Sequence, residues 1–372
     1  MKPIIRKRLR NAKRQIERRL RPIHWEEQSE PMLSATNIQY EIADRGQAVA
    51  CGGIGAMHLI AMRTGLADAI NRRVHVLKRH VPYHESDHVL NIAYNILCGG
   101  SRLEHIEHRR NDAAYLDAIG AQRIPDPTTE GDFCRRFETT EQVDDLQEAI
   151  NDARLNVWAQ QPATFFDEAV IDADRTIAET TGECKQGMDI SYKGEWGYHP
   201  LLVSLANTGE PIYLSNRSGN RPSSEGAHEY LDRAVELCRR AGFQKVRLRG
   251  DTDFTQTTLL DRWDEDGVKF VFVIACWKNL VDIAESLENR AFSPLRRPAK
   301  YDVKTEPRAK PENVKERIVC EREYENRRLQ SEEVAEFDYR PTKCEKTYRV
   351  VVIKKNGSSE KSVGQKRCKR VQ

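Results

Sequence analysis

Apolar residues recur at helical spacing in one long part of the chain and at strand spacing in another. From Gly52 to about Gln160 the apolar positions within 56–66, 89–97 and 143–158 fall on a helical period with few β-branched runs, which predicts an all-α region. Gly99-Gly100-Ser101 ends one helix and opens the next, and Pro125-Asp126-Pro127-Thr128-Thr129 marks a helix start before residues 130–137, because Asp caps free N–H groups and Pro suits a first turn. Short helices with tight turns fit a helix-turn-helix variant and equally a small bundle. Ahead of them, Ile4, Ile5, Leu9, Ile16 and Leu20 sit among basic residues, predicting an amphipathic helix over 4–21 that Pro22 stops. Residues 23–46 are mixed, with one strand expected over 37–42.

At Phe165 the pattern changes. Strands are predicted over 166–174, 197–205 and 211–215, the last two joined by the Asn207-Thr208-Gly209-Glu210 turn. An amphipathic helix follows over 223–241, with Leu231, Ala234, Val235, Leu237 and Cys238 on one face and Gly242 as its stop. Then come a strand over 245–249, a helix around 256–264 and an apolar strand over 269–276. The order β-β-β-α-β-α-β, with an antiparallel hairpin first, is how a ribonuclease-H-like mixed sheet is wired, although other mixed folds share it. The expected class is therefore α/β, a ribonuclease-H-like mixed sheet preceded by an all-α domain. Its expected divisions are a basic helix and linker (1–46), a helical domain (47–160), an α/β core (161–290), a charged insertion with a single strand at 348–354 (291–355) and a disordered basic tail (356–372).

Composition narrows the function classes. At 372 residues, 39% hydrophobic and 31% charged, the chain reads as a soluble multidomain protein, and no apolar run approaches the roughly 20 residues that span a bilayer. No signal-peptide pattern follows the basic start, so the cytoplasm is the expected compartment. Nine cysteines are scattered singly without a CxxC pair and read as reduced thiols. The net charge of +3 hides two basic ends. The first 22 residues carry Arg6, Lys7, Arg8, Arg10, Lys13 and Arg14 among ten cations against Glu17 alone, and from Arg296 onward there are 22 Lys and Arg against 13 Asp and Glu. Such clusters attract polyanions and displace counterions from phosphates, though a solvated charged helix has the same composition.

Candidate chemistry lies at strand ends. Asp172 and Asp174 are two apart, so they share one face of a strand, and Asp251 ends another in Arg249-Gly250-Asp251-Thr252-Asp253-Phe254. Carboxylates so placed are hard oxygen ligands suited to Mg²⁺ or Mn²⁺ in phosphodiester displacement. Any single Asp at a strand end is more often a turn or cap residue. The two motifs stand about 75 residues apart with a hairpin and a helix between them. Together, Asp172-Ala173-Asp174-Arg175-Thr176 and Arg249-Gly250-Asp251-Thr252-Asp253-Phe254 resemble the Asp-x-Asp-x-Thr and Arg-Gly-Asp-x-x-Phe strands of insertion-sequence transposases of the DDE class, group 1. Lys185-Gln186-Gly187, Gly197-Tyr198-His199-Pro200-Leu201-Leu202, Arg217-Ser218-Gly219-Asn220 and the helical segment Leu97-Cys98-Gly99-Gly100-Ser101-Arg102-Leu103-Glu104 extend that resemblance to about Lys354.

The resemblance implies a cut-and-paste transposase that binds element terminal repeats and target DNA, as a homodimer, and cuts and joins strands with a divalent metal. It makes Asp174 the first catalytic acid and Asp251 the second, both metal ligands. Asp172 is a further candidate ligand or a neighbour that tunes the metal, Asp253 is weaker, and Arg249 fits either a local ion pair or a phosphate contact. The resemblance also implies a third acid, a Glu on a helix beyond the 348–354 strand. After Lys355 the sequence offers only Glu360, with no helical pattern around it, while Glu332, Glu333 and Glu336 precede the strand. The basic, non-periodic ending 364–372 suggests a frameshifted or prematurely stopped frame, which would leave a DNA-binding relic without catalysis; whether the chain is an active enzyme is left open. Trp196 and Tyr198 fit base stacking or turn packing. His75, His80, His84 and His88 recur every four or five residues and are read as a solvated or phosphate-facing surface rather than a metal face.

Overall fold

The computed structural model describes residues 3–19, 26–33, 51–182, 185–191, 193–297 and 326–360. The strand expected over 37–42 lies outside them, as does the tail from 361 onward. The chain divides into two compact units, Met1–Arg221 with Glu225–Arg247, and Pro222–Ser224 with Leu248–Gln372. Among the described residues no helix is long and apolar enough to cross a membrane.

The first unit opens with α1 (Pro3–Arg19), as its pattern predicts. The helical region follows as α2 (Ile54–Arg63), α3 (Leu66–Arg73), α4 (Glu85–Leu97), α5 (Glu107–Arg110), α6 (Ala113–Ala118), α7 (Pro127–Cys134) and α8 (Thr140–Trp158). Local chemistry sets the starts. Asp112 accepts from Ala114 N and Tyr115 N, Asp126 accepts from Thr128 N and Thr129 N with Pro127 in the first turn, and Thr139 with Gln142 forms a capping box. Leu33, Leu90, Tyr94, Ile106, Leu116 and Ile119 are buried in one core cluster, and Ile70 and Val74 of the α3 region pack with Ala149 of α8 in a second.

A buried polar network crosses these helices. Asp87, fully buried, accepts from Met32 N (2.9 Å), Leu33 N (2.8 Å) and His84 N (2.8 Å). This pins residues 26–33 to the start of α4. His88 Nδ1 donates to Glu130 of α7 at 3.0 Å, and Asn91 donates to the same carboxylate. The solvated histidine surface is therefore corrected: His75 is exposed, but His84 and His88 are buried. Each forms helix-to-helix or helix-to-loop hydrogen bonds that spacing alone does not reveal.

The α/β part of this unit holds β1 (Ala169–Arg175), β2 (Ala178–Glu179), β3 (Asp189–Ile190), β4 (Trp196–Tyr198), β5 (Leu201–Leu205), β6 (Glu210–Ser215), α9 (Ala227–Ala241) and the first residues of β7 (Val246–Gly250). The single strand expected over 197–205 is two strands, because Pro200 offers no N–H to a ladder and the chain breaks at His199-Pro200. β1 pairs antiparallel with β5, and β5 with β6, so the predicted hairpin is present. The strand order here is β6-β5-β1-β7, and β2-β4-β3 form a separate small sheet. α9 buries Leu231, Ala234, Val235, Leu237 and Cys238, and Gly242, at φ 101°, closes it. Arg233 of α9 forks to Asp144 (2.7 Å) and Glu148 (3.0 Å) of α8, fixing the helical region to the sheet.

The second unit takes β7 from Leu248 and sets it beside β8 (Lys269–Phe272), with α10 (Leu260–Glu265) between them in sequence. Then come α11 (Lys278–Ser286), β9 (Ser293–Pro294), β10 (Asn326–Tyr339) and β11 (Tyr348–Glu360), the last three forming a sheet in the order β11-β10-β9. The charged insertion with one strand is thus corrected to a long antiparallel hairpin plus β9. Residues 356–360, expected in a disordered tail, continue β11. The mixed α/β, ribonuclease-H-like class stands as the sequence implied.

Candidate active site

Strand β1 alternates cleanly. Ala169, Ile171 and Ala173 are buried, which turns Asp172 and Asp174 outward on one face, Asp174 exposed and Asp172 half-buried. Asp174 Oδ1 accepts from Arg175 N at 2.7 Å, and Asp174 pairs in register with Leu202 of β5. The sequence expectation that the two acids share a face is met.

Asp251 follows β7 in the second unit. It caps the short 3-10 turn Thr252–Phe254 by accepting from Asp253 N at 3.0 Å, and it is exposed. The motif around it has a packing logic. Phe254 is buried, and a Cβ on Gly250 would press on the Phe254 Cβ and the Phe272 ring, so glycine lets the turn fold tightly onto its anchor. Asp253 accepts from the buried Ser223 hydroxyl at 2.8 Å, which gives it a structural partner and agrees with its weaker candidacy. Asp172 and Asp174 in the first unit, and Asp251 in the second, are each hard oxygen donors with solvent access, the ligand type that Mg²⁺ and Mn²⁺ take.

The cations expected to meet DNA lie on α1. Arg6, Lys7, Arg10, Lys13 and Arg14 are exposed, with Lys13 near Glu17 at 3.8 Å; the side chain of Arg8 is outside the described residues. Trp196 is half exposed, whereas the Tyr198 hydroxyl donates to Gln186 O at 2.8 Å and so is turn packing. His80, His84 and Glu85 bring their ligand-type atoms within 4.8 Å of one another. Their atoms are already committed: His80 Nε2 to Glu85 (3.1 Å), His84 Nε2 to Gln28 O (3.0 Å) and Glu85 Oε1 to Leu77 N (3.1 Å). The two rings stack at 3.8 Å and 12°, an arrangement that cannot aim both lone pairs at one ion. A hydrogen-bonded network is what these residues make.

Motifs that look separate along the chain form one scaffold in the first unit. His199 N donates to Arg217 O at 2.8 Å, His199 Nδ1 to Arg221 O at 2.9 Å, and Arg217 Nε returns to His199 O at 3.2 Å. A Cβ on Gly219 would run into the backbone oxygens of Asp189 and Gly197, and one on Gly197 into the backbone of Ala178. The glycines of the Gly197-Tyr198-His199-Pro200 and Arg217-Ser218-Gly219-Asn220 segments are there for close backbone approach, which no single-segment reading of the sequence could show.

A family model described as transposase DDE domain group 1 matches residues 32–363. The chain belongs to that family. Its two quoted Asp motifs, Asp174 in β1 and Asp251 after β7, lie within the matched region. No curated protein matches. Among solved structures, a cryo-EM structure of a piggyBac transposase synaptic complex with hairpin DNA is similar at 14% identity and a TM-score of 0.29, over 64% of this chain and 47% of that one. The chain thus spans about half the length of that transposase.

Proposed function

We propose that this member of the DDE family is a metal-dependent DNA transposase of an insertion-sequence element. In this reading Asp174 and Asp251 hold Mg²⁺ or Mn²⁺, with Asp172 supporting the strand end or the metal. A divalent ion bound there supplies Lewis acidity for phosphodiester displacement. The region 47–160 and the exposed cations of α1 grip element ends and target DNA, and two copies bring two ends together. The observation that carries the reading is the pairing of family membership with two exposed carboxylates, each at the end of a strand in the motif the family carries. This chain's own residues orient those carboxylates: the buried face of β1 turns Asp174 outward, and Phe254 with Gly250 fixes the Asp251 turn.

A strand-cleavage assay with Mg²⁺ or Mn²⁺ on the element's terminal repeats tests this. Cleavage that falls to background in Asp174→Asn and in Asp251→Asn, and survives in Asp253→Asn, is the expected pattern. Cleavage that persists in either of the first two sinks the site assignment.

One observation favours a second reading, DNA binding without cleavage. Among the described residues Glu332, Glu333 and Glu336 are engaged in ion pairs: Glu332 with Arg297 at 2.8 Å, Glu333 with Lys354 at 3.9 Å, and Glu336 with Arg349 at 2.5 Å. They lie on a strand, not a helix. DNA binding by wild type with no cleavage under either metal would select this reading.

A further inference from the structure

The fold brings together two cysteines that stand 47 residues apart in the sequence, Cys51 just before α2 and Cys98 just after α4. The Cys51 thiol donates to the Cys98 carbonyl oxygen at 3.8 Å, and the two thiols lie within hydrogen-bonding reach of each other. Both are free and half-buried. We infer that they form a redox-active pair, a modification site at which a low-molecular-weight disulfide is reduced while a bond forms between Cys51 and Cys98. The inference goes beyond the transposase reading and uses no residue of the candidate metal site.

Both sulfurs are held in place by their surroundings. Ile54, which opens α2, is buried in the same core cluster as Tyr94 of α4, and Cys98 packs against that cluster. Ile54 N donates to Cys51 O at 3.0 Å, Cys98 N to Tyr94 O at 2.9 Å, and Arg109 Nη2 to Cys98 O at 2.6 Å. The start of α2 and the end of α4 are therefore tied to one packed core, which fixes the distance between the two thiols. Cys51 also sits in a conformation that L side chains disfavour. At φ 61° it is the one non-glycine residue at positive φ among the described residues, although glycines follow at 52 and 53. A side chain kept there marks a constraint beyond local preference, and at this position the side chain so kept is the thiol that meets Cys98.

The chemistry runs in two exchanges. Burial pushes the Cys98 thiol up to about 12, the adjacent Cys51 side chain adds to the rise, and the Arg109 guanidinium opposes it. With the Cys98 proton held, the first attack falls to Cys51. Its sulfur gives up a proton and bonds to one sulfur of the small disulfide, whose S–S bond breaks and whose other half leaves as a thiolate. Once Cys51 is capped, its thiol no longer opposes ionisation of Cys98, and Arg109 remains to favour the thiolate. Cys98 then attacks the Cys51 sulfur and expels the second half. The protein loses two electrons and two protons, and the small disulfide gains them as two thiols.

Peptide mapping of the full chain, incubated with oxidised glutathione without denaturant and then alkylated with iodoacetamide, tests the pair. Trypsin places Cys51 in 46–63 and Cys98 in 80–102, each without another cysteine. The expected product in wild type is these two peptides joined. In Cys98→Ser the expected product is a lasting glutathione adduct on Cys51, since the thiol that resolves it is gone. Exposed Cys134 reports that the oxidant reached the chain. A glutathione adduct on Cys134 with both Cys51 and Cys98 recovered alkylated in wild type would overturn the inference. So would a Cys51 adduct that persists in wild type, or joined peptides that form only in urea. The wild-type result decides the matter even if Cys98→Ser fails to fold, and none of these outcomes touches the transposase reading.

Discussion

Two carboxylates in the helical region are buried against their own charge. Burial raises the pKa of Asp87 above its ordinary value although three backbone N–H groups lower it, and burial likewise raises Glu130 against the opposing His88 and Asn91 bonds. A carboxyl whose folded pKa lies above its unfolded value holds its proton more tightly when folded. Its stabilising contribution is complete below the unfolded value and is lost as pH rises through the folded one. Glu130→Gln removes that proton exchange. The gap in melting temperature between wild type and Glu130→Gln should therefore shift in favour of wild type as pH falls from 7.5 towards 5; a gap independent of pH would show that Glu130 does not titrate in this way. Asp152 behaves oppositely. The Arg73 guanidinium at 2.7 and 3.0 Å, joined by Arg72 at 3.3 Å, holds Asp152 below the usual carboxylate range. Its stabilising contribution is present above the unfolded pKa and is lost as pH falls through the folded one. Asp152→Asn is expected to cost about 1 kcal/mol at neutral pH by urea unfolding, because the partly exposed fork joins α3 to α8.

At the scale of elements, what the sequence made legible is what local chemistry decides. The Asp126-Pro127 start of α7, the Gly242 stop of α9 and the β5–β6 turn all appear where cap and turn residues place them. The 197–205 strand was misread because a lone Pro200 in an apolar run weighs little in periodicity but breaks the ladder outright. Strand β10 was missed for a different reason. Its Glu332, Glu333, Glu336 and Asp338 look like solvated loop until β11 is set beside them, where Glu333 faces Lys354, Glu332 faces Lys355 and Asp338 faces Arg349. Charge complementarity between the two arms of a hairpin is invisible to a one-segment reading. It predicts that Glu333→Lys, facing Lys354, destabilises the second unit by about 0.5–1 kcal/mol in chemical unfolding, while Glu333→Gln costs less. A harsher prediction concerns Gly219. An Ala Cβ there meets backbone oxygens that cannot rotate away, so Gly219→Ala should cost about 1–3 kcal/mol and a comparable change at the open Gly209 turn should be felt through its φ of 73° instead of by collision.

For the whole molecule, the candidate acids were legible and the packing that orients them was not. Asp174 and Asp251 could be picked out because an acid at the end of an apolar strand is visible one strand at a time, whereas the scaffold of 186–187, 197–200 and 217–221 exists only once the chain has folded back three times. Charge distribution extends the same lesson to binding. The net charge of +3 says little about polyanions, but five exposed cations on α1 say a good deal, since each phosphate neutralised on duplex DNA steepens the log–log salt dependence by about 0.9. Replacing Arg6, Lys7, Arg10, Lys13 and Arg14 by Gln should therefore flatten the slope by as much as about 4, and weaken binding most at low salt, where counterion release contributes most. Asp174→Asn and Asp251→Asn, measured without metal, should not reduce the slope, because removing a negative charge takes no phosphate contact away. A slope that stays the same in the α1 variant would mean that those cations are a solvated helix face and that the grip on DNA lies elsewhere in the chain.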